Sequence, residues 1–114
     1  MKDKVVIITG ASSGIGKALA FEFSRHGSKV VLAARNFEDL KTIVAAIIKK
    51  GGSAIAVQCD VSKEDECRNL VKRTVDEYGR IDALINNAGI SMRALFQDVE
   101  LDVLRRLMDV NFWG

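Results

Sequence analysis

Four apolar runs punctuate the chain: Lys4 to Thr9, Lys29 to Ala34, Ala54 to Cys59 and Ile81 to Asn86. The first is rich in β-branched residues and the second is likewise unbroken, the pattern of a strand covered on both faces. Between the runs, apolar positions recur at helical spacing. The first helix is expected from Gly14 to His26, with Ile15, Ala18, Leu19 and Phe23 on one stripe and Gly27 as its stop. The second carries Leu40, Ile43, Val44, Ile47 and Ile48, with Asn36 as N-cap, Asp39 in the first turn and Gly51-Gly52 at its end. The third is expected to be capped by Ser62, with Glu64, Asp65 and Glu66 at its positive end. Its inward stripe is Cys67, Leu70, Val71, Val75 and Tyr78, and Gly79 closes it. A last helical pattern begins near Asp98 or Glu100 and is still helical at Gly114.

Strands alternating with helices of this length predict parallel βαβ units, hence an α/β fold with a parallel sheet and helices on both faces. Right-handed crossovers put the first two helices on one face, the third on the other, and the strands in the order 3-2-1-4. Chain direction then switches between strands one and four. The crevice at their C-terminal ends is flanked by Gly10 to Gly16 and by Asn86 to Gly89. The whole chain, 1–114, reads as one partial domain that stops after the fourth strand and its helix. A bare edge on strand four and an incompletely covered last helix predict self-association, as a homodimer or higher species.

Chemistry concentrates first in Thr9-Gly10-Ala11-Ser12-Ser13-Gly14-Ile15-Gly16, where strand one turns into the first helix. Small residues here either let strand and helix pack closely or let a ligand approach the backbone. A helix N-terminus with free N–H groups favours a phosphate as that ligand. The glycine spacing is wider at the front than G-x-G-x-x-G. It matches Thr-Gly-x-x-x-Gly-x-Gly, and in this the sequence resembles the short-chain dehydrogenase/reductase family, whose fold is Rossmann-like. The resemblance implies that Gly10, Ser12, Ser13, Gly14, Ile15 and Gly16 cradle a dinucleotide.

Later stretches extend the likeness. Arg35 follows strand two, in a region where a carboxylate would bind the ribose hydroxyls of NAD, and Ala34 stands at the strand end where the resemblance puts that acid in NAD-using members. An arginine favours a 2′-phosphate instead, hence NADP, with Ser12, Ser13 and Asn36 as further contacts. Asp60-Val61 resembles the family's adenine-pocket pair, although Asp60 is explained nearly as well by a turn with Ser62. Asn86-Asn87-Ala88-Gly89 places two asparagines at the end of a buried strand, where their amides need partners the sheet does not supply. In the family this segment lines the cofactor ribose, which assigns Asn87, Ala88 and Gly89 to cofactor binding, and Asp82 also fits the pattern. Asn111, on a helical stripe with Leu104, Leu107 and Met108, resembles the helix asparagine of the family's catalytic group.

The family's acid/base pair, Tyr-x-x-x-Lys, is absent. Tyr78 is the only tyrosine, and Asp82 stands four positions on. The resemblance therefore implies the NADP-binding first half of an oxidoreductase that interconverts a carbonyl and a secondary alcohol. Alone, this half is expected to bind cofactor without turnover. A stand-alone nucleotide-binding module and a self-associating half-fold without ligand remain open. Met92, Leu95 and Phe96 are expected near one wall of a substrate pocket.

Composition narrows the field. A net charge of +2 without a basic run argues against nucleic acid. No apolar stretch reaches membrane-spanning length, and Met1-Lys2-Asp3-Lys4 runs into the first strand without a signal-peptide pattern, so the expected location is cytoplasmic. Cys59 and Cys67 have neither zinc nor redox spacing and read as free core thiols. His26 beside Arg25 reads as a complement to the helix dipole. No metal site is expected.

Overall fold

The computed structural model describes residues 2–12, 14–86 and 111–113. The apolar runs become β1 (Val5–Thr9), β2 (Lys29–Ala34), β3 (Ser53–Gln58) and β4 (Ala83–Asn86), within a residue or two of expectation. Between them lie α1 (Gly14–Arg25), α2 (Phe37–Lys49) and α3 (Glu64–Tyr78), and a short β5 (Asn111–Trp113) follows. All strand pairings are parallel and the order is β3-β2-β1-β4-β5, which contains the expected 3-2-1-4.

Alternation along β1 divides the core. Val5 and Ile7 point to one face, where Val31, Ala33, Val57 and Leu84 join Cys67, Leu70 and Val71 of α3. Val6 and Ile8 point to the other, against Ala20 of α1 and Leu40, Ile43 and Ile47 of α2. Helices α1 and α2 thus share one face and α3 takes the other, as right-handed crossovers require. Each fully buried valine or isoleucine contributes about 1.5–3 kcal/mol, and all five residues of β1 are buried.

Three expectations about local structure need correction. In α1 the buried positions are Gly16 and Ala20, while Leu19 and Phe23 are half-buried; Ile15 is 70% exposed and Ala18 also faces solvent. Small residues on the sheet side let the helix seat close to the strands, and that turns Ile15 outward. Ser62 does not cap α3. Its hydroxyl donates to Asp60 Oδ1 at 2.6 Å, and Lys63 occupies the N-cap position without a side-chain cap bond. Asn36 does cap α2, its Oδ1 accepting from the Asp39 N–H at 3.2 Å, and Gly79 ends α3 at φ 77°.

The third correction concerns residues 111–113, expected on a helix. They form β5 instead, pairing Ala83 with Asn111, Leu84 with Phe112 and Ile85 with Trp113. An open strand edge leaves N–H and C=O groups without partners, and successive aromatic residues suit a strand. Helical spacing of Leu104, Leu107 and Met108 could not reveal that competition; those residues and the expected helix start lie outside the described residues. With β4 paired on both sides, the bare edge behind the expected homodimer is absent along Ala83 to Ile85.

The entry to β4 is tied to β1 by Asp82. Its Oδ2 accepts from the Val5 N–H at 2.8 Å, its Oδ1 from the guanidinium of Arg80, and its own N–H donates to the Val5 carbonyl at 2.8 Å. Asp82→Ala leaves the buried Val5 N–H without this acceptor, so urea melts should show a loss of about 1–3 kcal/mol. Asp82→Asn, which keeps an acceptor, should cost less; an unchanged alanine variant would refute this role.

Candidate functional site

Parallel strands deliver their C-terminal ends to one lip of the sheet. There the Thr9–Asn86 register brings the start of the glycine turn beside the start of the asparagine segment, and the Thr9 hydroxyl donates to the Ile85 carbonyl at 3.4 Å. Leaving β1, Gly10 adopts φ 63°, the Ala11 N–H donates to the Ala33 carbonyl at 3.3 Å, and Gly14 opens α1 at φ 59°. Glycine takes such φ values without the steric cost that a Cβ brings.

Gly14 also separates the two explanations of the turn. Among the described residues a Cβ built there would meet no atom within 4 Å, so packing against them does not require glycine at this position. The backbone conformation does, and it leaves an open face at a helix N-terminus. The first turns of α2 and α3 carry Glu38 and Asp39, and Glu64, Asp65 and Glu66, respectively. The first turn of α1 has no acidic residue, so its positive dipole end is not met by a carboxylate of its own first turn.

Beside this turn lies a cavity of about 470 Å³ lined by Gly10, Ser12, Ala34, Arg35, Asn36, Cys59, Asp60 and Val61. Six of the residues singled out from the sequence, from the ends of three strands, therefore line one space. Gly14 and Ile15 stand exposed at the start of α1, and Gly16 is buried within it. Ser13, Asn87, Ala88 and Gly89 lie outside the described residues, as do Met92, Leu95 and Phe96. Asn111 is in register with Ala83, at the opposite end of β4 from Asn86. Ala34, at the strand end where the family resemblance puts the acid of NAD-binding members, also lines the cavity, while sequence reasoning missed Cys59 as a cavity wall. The signal for Cys59 was position alone, the last apolar residue before the polar Asp60 at a strand end.

Asp60 has a double attachment. Its Oδ1 accepts from the Ser62 hydroxyl and, at 2.9 Å, from the Ser62 N–H, while its own N–H donates to Glu66 Oε1 at 2.9 Å. The Ser62 hydroxyl chiefly, then the Ser62 N–H, hold the Asp60 carboxyl below its usual range. The turn explanation of Asp60 is thus present together with its place in the cavity wall. Behind it, Cys67 Sγ lies 3.6 Å from the Val61 carbonyl. Burial, then the neighbouring Cys67, push the Cys59 thiol up to about 12. Both cysteines are free.

A larger cavity, about 710 Å³, lies at the far end of the sheet, where Lys29, Ser53 and the last turns of α1 and α2 meet. Its cations are engaged locally: Arg25 pairs with Glu22, Lys50 sits over the Phe21 ring and Lys29 over the Tyr78 ring. Helix C-termini present carbonyls there, so an anion is disfavoured. His26 also contacts Glu22, at 3.1 Å. The Tyr78 hydroxyl lies 2.8 Å from Ser53 Oγ at the start of β3, away from the crevice. Among the described residues no group of His, Cys, Asp and Glu could hold a metal ion, and no helix is long and apolar enough to cross a membrane.

The family model for short chain dehydrogenases matches residues 4–114. The chain belongs to that family. It is 44% identical over 113 residues to 11-beta-hydroxysteroid dehydrogenase A of Sesamum indicum, a match covering 97% of this chain and 32% of that protein. Among solved structures, a metagenomic short-chain oxidoreductase in complex with NADP is 39% identical with a TM-score of 0.73, covering 77% of this chain and 40% of that one. A 7 alpha-hydroxysteroid dehydrogenase complexed with NADH and 7-oxo glycochenodeoxycholic acid is also 39% identical, with a TM-score of 0.76 over 77% of this chain and 34% of that one. The chain spans about a third of the length of the curated relatives it matches.

The Cys59 thiol keeps its proton in the folded state where the unfolded chain releases it, at an ordinary value of 9.0. Its contribution to stability is complete below about pH 9 and is lost as pH rises toward 12. Urea melts across that window should show falling stability, with a shallower fall in Cys59→Ala. Tyr78, also raised by burial, supplies part of the remaining slope. Equal slopes in the two proteins would contradict the assignment to Cys59.

Proposed function

We propose that the crevice binds the adenosine end of NADP, and that the chain is the cofactor-binding part of an oxidoreductase interconverting a carbonyl and a secondary alcohol. The carrying observation is that the glycine turn, Arg35-Asn36 and Asp60-Val61 meet at one cavity on the C-terminal lip of a parallel sheet. The nucleotide supplies the hydride donor or acceptor when bound. What the chain supplies is binding and orientation.

In this reading the turn from Gly10 through Ser12, Ser13 and Gly14 to Ile15 and Gly16 receives the pyrophosphate, by main-chain N–H groups and the dipole of α1. Arg35 and Asn36 meet the 2′-phosphate. Val61 packs against the adenine, and Asp60 accepts from the adenine amine through the oxygen that Ser62 leaves uncommitted. Asn87, Ala88 and Gly89 line the ribose. The bound cofactors of the two solved relatives support a nicotinamide dinucleotide, one with NADP and one with NADH. The choice of NADP rests on an arginine where NAD binding calls for a carboxylate. Asn111 is left out, because its register sets it away from the crevice. Among the described residues Tyr78 is likewise remote, so this stretch alone is proposed to bind without turnover. Two free thiols suit a cytoplasmic setting, which belongs to the same proposal.

Calorimetry should find NADPH bound more tightly than NADH by roughly 10- to 100-fold, the worth of charge-assisted contacts to one phosphate. Arg35→Ala should erase most of that difference while leaving NADH affinity in place. Equal affinities in the unaltered chain would remove the NADP reading.

A further inference from the structure

Arg35 is exposed and its side chain is long, so packing does not hold the guanidinium in one place. What the fold can fix is the main chain from which that side chain departs. At the end of β2 the ladder to β3 closes with the Cys59 N–H donating to the Ala34 carbonyl at 3.0 Å. One residue further the strands have separated, and the Arg35 carbonyl has passed the last ladder rung. It accepts instead from Gln58 Nε2 at 3.1 Å, a side-chain rung added to the ladder.

The other flank is held as well. Asn36 Oδ1 accepts from the Asp39 N–H, and the Asn36 carbonyl accepts from the Leu40 N–H at 3.4 Å. The Arg35–Asn36 peptide is therefore gripped by β3 on one side and by the first turn of α2 on the other. The cap has a second effect: with its oxygen taken by a backbone donor, the Asn36 amide keeps its NH₂ for any anion in the cavity.

We infer that Gln58 is a positioning residue for recognition of the 2′-phosphate: through the Arg35 carbonyl it fixes where the arginine side chain starts, and so how well the guanidinium meets that phosphate. The inference rests on the NADP reading above. It adds that discrimination is shared by a residue on a neighbouring strand.

The test uses 2′,5′-ADP and 5′-AMP as probes, since only the first carries the 2′-phosphate. Gln58→Met keeps the length and removes the donor. In calorimetry it should weaken 2′,5′-ADP by about three- to tenfold, the worth of one neutral hydrogen bond, and change 5′-AMP by less than about twofold. Gln58→Thr, which suits a strand but is too short to reach the carbonyl, should behave alike. In an Arg35→Ala background Gln58→Met should have no further effect on 2′,5′-ADP, because the two residues act as one unit. Equal weakening of both probes, unchanged 2′,5′-ADP affinity, or the same loss with and without Arg35 would each overturn the role of Gln58. Should the unaltered chain fail to prefer 2′,5′-ADP, or Arg35→Ala leave that preference intact, the NADP reading itself falls.

Discussion

Val5 to Thr9 have neighbours in every direction: β2 and β4 along their hydrogen-bonding edges, α3 on one face, α1 and α2 on the other. A backbone buried in this way must satisfy its polar groups in the ladder. Parallel pairing then follows from the crossover helices, and every strand ends at the same lip. The position of the glycine turn is a consequence of this enclosure. So is the meeting of Arg35, Asp60 and Asn86 near it, since each follows or ends a strand whose register is set by β1 or by β2.

At the lip, polar side chains carry two duties. Asp60 holds the entry turn of α3 through Ser62 and contributes to the cavity wall. Asn36 caps α2 and faces the same cavity. Gln58 extends the β2–β3 ladder by one rung and thereby steadies the residue that carries the charge. Residues with such double duties hold the shape of the crevice through contacts of the fold itself, and a site shaped in advance carries a lower ordering cost for any ligand it receives. The space that the described residues leave above Gly14 and the acid-free first turn of α1 point in the same direction, toward an anion received by backbone.

Much of this was legible in the sequence, because unbroken β-branched runs, helical periodicity and glycine stops each have one dominant physical cause. Once the doubly wound strand order was assumed, the division of helices between faces followed from handedness. The misses have causes too. Ile15 fits a helical stripe, but Gly16 and Ala20 face the sheet, since proximity to the strands selected small residues over large ones. Ser62 has the chemistry of an N-cap, and Asp60 competes for its hydroxyl two residues away. β5 answers a demand for edge partners from β4, which no local window contains. Gln58 could not be found from sequence, because its partner is a main-chain carbonyl 23 positions distant whose availability depends on where two strands diverge.

The most direct examination is a titration of the isotope-labelled chain with NADPH, followed by amide chemical shifts. Shifts should concentrate on Gly10 to Gly16, Arg35-Asn36 and Asp60-Val61, and leave Arg25, Lys50 and Ser53 at the far cavity unmoved. Shifts confined to that far cavity, or spread evenly over the surface, would contradict a nucleotide crevice at the C-terminal lip of the sheet.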